Sequence, residues 1–216
     1  LALYVRQLSV GPMQNFVYLV GPKDSPETAV VDPAWDVPAI LEALAQDERR
    51  LTHVLVTHRH FDHTNGLAAL LTHVSVPVVI HDSEVDHVTG DIPANVYVRV
   101  VGEEVINVGT LPVRCLHTPG HTPGCLCFHA DESVFTGDTL FVDACGRCDF
   151  AGGSPKQMFD SLHRVLGALP DRTTVYPGHD YGDVAVSSLE RERARNPYLQ
   201  VGSAEAFTAF RMRPRG

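Results

Sequence analysis

The segment Thr57-His58-Arg59-His60-Phe61-Asp62-His63 sets three imidazoles and a carboxylate within six residues. It follows directly on Thr52-His53-Val54-Leu55-Val56, an apolar run bounded by polar residues that reads as a buried strand. Donors at the end of a strand stand on a rigid base, and imidazole with carboxylate suits zinc, and also iron or manganese. The plainer reading, polar loop residues satisfied by neighbours, fits a lone histidine better than a His-x-His-x-Asp-His run. The segment is the opening half of a transition-metal site, and any fold for this chain must bring the other ligands to it.

At 216 residues the chain suffices for one well-buried domain or two small ones. A hydrophobic share of 44% against 20% charged is that of an ordinary globular protein, which excludes disorder as the main state. The formal net charge of -9 argues against nucleic acid or an anionic membrane as principal partner, since both require concentrated Lys and Arg. Five cysteines are an odd number in a chain too large for a disulfide scaffold, so a reducing, cytoplasmic compartment is expected. Cys145-Gly-Arg-Cys148 has C-x-x-C spacing, but no second pair completes a zinc site and no thioredoxin-like pattern surrounds it. No apolar run reaches the length of a membrane span.

Strands are expected at Leu3 to Val10, Phe16 to Val20 and Thr28 to Val31, as a meander. Asp36 can cap a helix whose Ile40, Leu41 and Leu44 share one face, and a second helical stretch holds Leu67, Leu70 and Leu71. Short β segments follow between 77 and 136. Ser154-Pro155-Lys156-Gln157 then opens a helix as a capping box, with Phe159, Leu162, Leu166 and Leu169 buried and His163 and Arg164 in solvent. A last strand at 173–176 leads to Gly178-His179. The charged helix 187–195, closed by Asn196-Pro197, is expected on the surface. With no linker or repeat, residues 1–216 are expected to form one domain, with 180–216 as a helical tail.

Three later loops repeat one pattern, a β segment ending in a turn that carries a possible ligand. They are His117-Thr-Pro-Gly-His121-Thr-Pro-Gly124, Phe135-Thr-Gly-Asp138, and Tyr176-Pro-Gly-His179-Asp-Tyr181. Taken as a set with the first cluster, T-H-R-H-F-D-H, P-G-H-T-P-G, T-G-D and G-H-D-Y, in this order and at these separations, resemble the metallo-β-lactamase superfamily over nearly the whole chain. The resemblance implies an α/β fold, an αββα four-layer sandwich of two mixed β-sheets flanked by helices, with a metal site along one sheet edge. It also implies one metal on His58, His60 and His121, a second on Asp62, His63 and His179, and Asp138 bridging them. The other histidines are expected on the surface or in packing, His117 being the easiest to confuse with a ligand.

Within that superfamily Asp138 points to hydrolases like glyoxalase II, because the zinc β-lactamases lack the bridging aspartate. Cys145-Gly-Arg147-Cys-Asp-Phe150, Gly178-His-Asp-Tyr181 and the stretch ending Asn196-Pro-Tyr-Leu199 are similar to two glutathione-related branches, the glyoxalase II-like thioesterases and the persulfide dioxygenases. Both imply a small-molecule, glutathione-derived substrate, with Arg147 and Tyr181 as its contacts. A guanidinium fork suits a carboxylate and a phenol suits an amide. An ion pair to Asp149 is the alternative for Arg147. The shorter glyoxalase II-like hydrolases are the better comparison, since glyoxalase II proper carries a further helical region.

The leading expectation is thus a metallohydrolase of a thioester or related ester, with a hydroxide bridging two divalent ions, zinc before iron or manganese, and Asp62 as catalytic residue orienting it. A mononuclear Fe(II) persulfide dioxygenase, with iron on His58, His121 and Asp138, is the alternative. Phe61 and Thr64-Asn65-Gly66 depart from that branch's pattern. A dimer is compatible with either.

Overall fold

A computed structural model describes residues 2–213. The expected single-domain range of 1–216 therefore includes Leu1 and residues 214–216, which lie outside the described residues.

The first sheet is built entirely from the first half of the chain. It contains β1 (Leu3–Val10), β2 (Asn15–Pro22), β3 (Glu27–Val31), β4 (Arg50–Leu55), β5 (Val78–His81) and β6 (Tyr97–Val100), in that spatial order. The first three strands run antiparallel, as the meander predicts, and β3 to β6 pair in parallel. The second sheet uses β7 (Val105–Val108), β8 (Leu111–His117), β9 (Leu126–Ala130) and β10 (Ser133–Gly137). A two-stranded hairpin, β11 (Leu140–Phe141) with β12 (Ala144–Cys145), intervenes before β13 (Thr174–Pro177) and β14 (Ser187–Ser188) complete the second sheet. Its order is β14-β13-β10-β9-β8-β7, with only β10 and β13 parallel. Both sheets are mixed.

Alternation along the strands explains the layering, because successive side chains leave opposite faces. Leu55 and Val79 point between the sheets, where they meet Val113, Phe128 and Phe135. Their neighbours Val54, Val56, Val78 and Ile80 point outward onto α1 (Val37–Gln46), through Ile40 and Leu44, and onto Leu67 and Leu70. The continuous apolar runs of the central strands are thus buried on both faces. Beyond the second sheet, Cys127, Val134 and Val175 pack on Met158, Leu162, Leu166, Leu189 and Phe207. Three apolar layers between four layers of structure make the αββα sandwich.

The helical stretch after the first ligand loop is two short pieces, α2 (Phe61–Thr64) and α3 (Leu67–Leu71), broken at Gly66. A Cβ at Gly66 would lie 2.8 Å from the Pro33 carbonyl oxygen. α4 (Pro155–Asp160) is capped by Ser154, whose Oγ accepts from Gln157 N, but the Ser154 amide donates to Gly120 O, so only half of the capping box forms. The helix then widens through Ser161–Val165 and tightens over Leu166–Ala168. His163, expected in solvent, stacks on Phe159 at 4.1 Å. The tail also departs from expectation. Ser187–Ser188 join the sheet where helix was expected, α5 (Leu189–Arg195) follows, and α6 (Ala204–Arg211) lies within the expected helical tail. α5 lies on the surface along Glu190, Ala194 and Arg195, but the tail also buries Leu189, Glu192 and Phe207 completely or nearly so. Among the described residues no helix is long and apolar enough to cross a membrane, and no disulfide links the five buried cysteines.

Candidate metal centre

The C-terminal ends of β4, β8, β10 and β13 meet at one edge of the sandwich, and each carries a loop with expected ligands. Glycine permits the close approach. Gly137 takes φ +47° with its Cα against Thr57, and a Cβ at Gly178 would stand 2.8 Å from Asp138 Oδ1.

His58, His60 and His121 converge as one group. His58 Nδ1 lies 3.0 Å from Thr57 Oγ1, whose own proton goes to Asp32 Oδ2 at 2.6 Å. Thr57 must therefore accept from His58, which leaves the lone pair on His58 Nε2. His121 Nδ1 donates to Arg147 O at 2.7 Å, so its Nε2 also presents a lone pair. Both Nε2 atoms face His60 Nδ1, at 3.0 and 2.8 Å. A proton on that nitrogen would satisfy one lone pair and leave the other opposed. A cation satisfies all three.

Asp62, His63 and His179 form a second group. His63 Nδ1 donates to Asp32 Oδ2 and His179 Nδ1 to Met13 O, both at 2.9 Å. Their Nε2 atoms approach to 3.1 Å and lie 3.5 and 3.4 Å from Asp62 Oδ2. Asp138 stands between the groups. Its Oδ2 is 3.3 Å from His121 Nε2, while Oδ1 is 3.2 and 3.4 Å from His63 and His179. Oδ1 is buried without a hydrogen bond of good geometry, an orphan a cation would satisfy. Asp32 also approaches His58 and His63, but its oxygens already accept from Thr57 N, Thr57 Oγ1 and His63 Nδ1. It orients imidazoles instead of offering a free ligand.

The two groups differ electrostatically. Burial, and then the neighbouring imidazoles, hold His58 well below its ordinary pKa and push His60 down to about 4. Burial likewise lowers His121, against the pull of Asp138. At His63 and His179 burial also opposes charge, but the carboxylates outweigh it. Asp138 and Asp32 raise His63, and the neighbouring carboxylates of Asp138 and Asp62 raise His179 to about 9. Asp62 is held at about 2, since His179, His63 and Asn15 overcome its desolvation. Without a cation, protons balance the carboxylates in the second group only.

A cation entering there must displace those protons, so its affinity rises with pH through about 9, where His179 loses its proton, whereas His60 costs no proton above about pH 4. Metal-free protein titrated with Zn²⁺ at pH 7.5, a value chosen between those two limits, is expected to release at least one proton more with the second equivalent than with the first. Calorimetry in buffers of different ionisation enthalpy measures this. Equal release by both equivalents would contradict the assignment of protons to the second group.

The centre opens into a cavity of about 430 Å³ walled by Met13, Phe141, Ala144, Phe150 and Tyr181. Tyr181 stacks on His179 at 4.5 Å, its phenol kept protonated by burial and by Asp138 and Asp62. Arg147 also lines the cavity, but its guanidinium holds Asp149 through two bonds of 2.9 and 2.8 Å and covers Phe150. The ion-pair alternative is therefore the geometry present. His117 stays apart from the centre, stacked on His81 and bonded to Pro123 O.

Sequence reasoning missed three supporting residues. Asp32 aligns Thr57 and His63. Asn15 Nδ2 donates to Asp62 Oδ2 at 3.0 Å. Buried Glu84 accepts from Arg59 N and Gly124 N, at 2.9 and 2.8 Å, tying the loop after β4 to the loop after β8 that bears His121. Each is a single polar residue without local pattern.

The model of the family described as "Metallo-beta-lactamase superfamily" matches residues 10–179, which include all seven converging His and Asp side chains. The chain belongs to the metallo-β-lactamase superfamily. Its relatives in that superfamily divide by chemistry. It is 34% identical over 199 residues to the probable polyketide biosynthesis zinc-dependent hydrolase PksB of Bacillus subtilis (strain 168), covering 92% of this chain and 88% of that one. It is 42% identical over 200 residues to the hydroxyacylglutathione hydrolase of Rhodopseudomonas palustris (strain BisA53), covering 91% and 74%. It is also 31% identical over 206 residues to the mitochondrial persulfide dioxygenase ETHE1 of Homo sapiens, covering 94% and 78%. The solved structure of ETHE1 from Myxococcus xanthus superposes with a TM-score of 0.87 at 36% identity, covering 98% of this chain and 92% of that one. The superfamily binds metal, and both hydrolase and dioxygenase relatives stand at comparable distance.

Proposed function

We propose that this chain is a metal-dependent hydrolase of the glyoxalase II-like type that cleaves a thioester or related ester. In this reading His58, His60 and His121 hold one divalent cation, Asp62, His63 and His179 hold another, and Asp138 spans them. The observation that carries the reading is the division of the Asp138 carboxylate, with one oxygen on each group and the buried Oδ1 left without a proton donor of good geometry. Zinc is the first choice, as in the name of the PksB relative. When bound, two cations would make hydroxide available near neutral pH and polarise a carbonyl oxygen. The chain's own contribution is placement. Asp62 stays ionised and, fixed by Asn15, accepts a hydrogen bond from the attacking water and so orients it. Phe141, Phe150 and Met13 shield the reacting carbonyl from bulk solvent, and the Tyr181 phenol offers a donor to an amide of the leaving thiol. Arg147 meets a substrate carboxylate only by exchanging it for Asp149.

The second reading is a persulfide dioxygenase with one Fe(II) on His58, His121 and Asp138, favoured by the superposition on the Myxococcus protein. Protein purified without added metal distinguishes the two. The hydrolase is expected to carry two cations per chain and to hydrolyse hydroxyacyl-glutathione-type thioesters without consuming oxygen. One iron per chain with oxygen uptake on glutathione persulfide would replace it with the second reading.

A further inference from the structure

Asn15 and Trp35 lie outside every motif that located the centre, yet they end in contact with one of its carboxylates. Asn15, 1% exposed, opens β2 beside the His179 loop, with which it makes an isolated antiparallel bridge. Its Nδ2 donates to both Asp62 Oδ2 and Asp62 O, each at 3.0 Å. Asp62 Oδ2 is the oxygen that faces His63 and His179.

A carboxamide can be turned end for end at little cost in shape, and turned it would set Oδ1 against two oxygens. Trp35 removes the choice. Its indole Nε1–H, a donor only, lies 2.9 Å from Asn15 Oδ1 and so fixes which end faces Asp62. The chain accepts an uncommon backbone to place that ring. Trp35 sits at φ +57°, its amide donates to Asn65 Oδ1 at 2.6 Å, and its indole occupies the space over Gly11, where a Cβ would come within 2.4 Å. The ring also packs edge-on against Phe61 at 6.1 Å, a contact that any aromatic ring could make and that needs no N–H pointing at the amide.

We propose that Trp35 and Asn15 are a positioning pair that holds Asp62 Oδ2 towards the second cation, the Trp35 indole N–H acting through Asn15. This rests on the two-cation reading. The pair orients a ligand that the one-iron reading does not use.

The test is Zn²⁺ titration against a chromophoric chelator for the wild type, Trp35→Phe, Asn15→Ala and the double variant, with thermal midpoints of the metal-free proteins as a folding check. Trp35→Phe keeps an aromatic ring and removes the N–H, so it decides the matter alone should Asn15→Ala not fold. The first equivalent is expected to bind equally in every variant. The second is expected to weaken about tenfold or more in each single variant, the scale of losing a partner that orients a ligand. The double variant should be no weaker than Asn15→Ala, because the two changes break one chain of contacts. Two equivalents bound with unchanged affinity, or losses that add, would overturn the inference alone. One equivalent bound by the wild type would overturn the two-cation reading and the inference with it.

Discussion

Asp138→Asn is expected to lower kcat about a thousandfold and to leave at most one tightly bound cation per chain. The carboxylate oxygens serve different groups, Oδ2 towards His121 and Oδ1 towards His63 and His179. An amide keeps the shape, loses the charge, and turns one end into a donor aimed at nitrogen atoms that themselves need an acceptor or a cation. Metal polarisation of a carbonyl contributes several kcal/mol, and loss of ~4 kcal/mol corresponds to about a thousandfold in rate. Steady-state kinetics on a thioester, with metal content by elemental analysis, gives the answer. Turnover within about tenfold of wild type, tenfold being only ~1.4 kcal/mol of barrier, together with two cations retained, would remove the spanning role of Asp138.

Glu192→Ala is expected to cost about 3–5 kcal/mol of folding stability, the range for stripping one partner from a buried ionic network. The Glu192 side chain is fully buried. It accepts from Asp143 N at 2.8 Å, Arg191 Nη1 at 2.8 Å, Asn196 Nδ2 at 2.9 Å and the Ser187 hydroxyl. Asn196 Nδ2 in turn reaches Phe141 O and Ala144 O. The network therefore ties α5 to the hairpin whose Phe141, Ala144 and Cys145 wall the cavity. For a chain of this length the loss amounts to a fall in Tm of roughly 10 °C. Below the lowered Tm, KM should rise more than kcat falls, since the wall is loosened and the ligands are not. Chemical unfolding with metal held constant measures the first effect, and a loss under about 1 kcal/mol, the scale of an exposed ion pair, would show that the network is only a solvated cluster.

The parts of the centre legible in the sequence were those written locally. Spacing within residues 58–63 and the Gly-Pro turns before His121 and His179 announce ligand loops because the chemistry and the backbone constraint sit side by side. The fold class followed through the resemblance, and strand positions followed from apolar runs. The pairing order did not, since whether β10 neighbours β13 depends on the docked sheets and on nothing nearby in the chain. Asn15, Asp32 and Glu84 were invisible for the same reason: each is one polar residue that acquires meaning from a loop far away. The tail is a different case. Ser203 caps α6, with Phe207 and Arg211 buried four apart, a pattern present in the sequence beyond the charged helix that Asn196-Pro197 closes. For α5, surface character was inferred from charge, yet Glu192 shows that a charged residue with four donors around it can be interior.

The chain divides cleanly at the turn between β6 and β7, every strand before it belonging to one sheet and every main-sheet strand after it to the other. Both ligand groups straddle that division, His58, His60, Asp62 and His63 coming from the first half and His121, Asp138 and His179 from the second. In the two-cation reading a half-made chain leaving the ribosome owns neither complete group, and tight capture of a cation would wait until the two halves have closed on each other. Capture would then act as a latch. At free metal one hundred times the dissociation constant, binding draws the closed state down by about 2.7 kcal/mol, so metal supply would govern how long the finished molecule survives proteolysis as well as how fast it turns over.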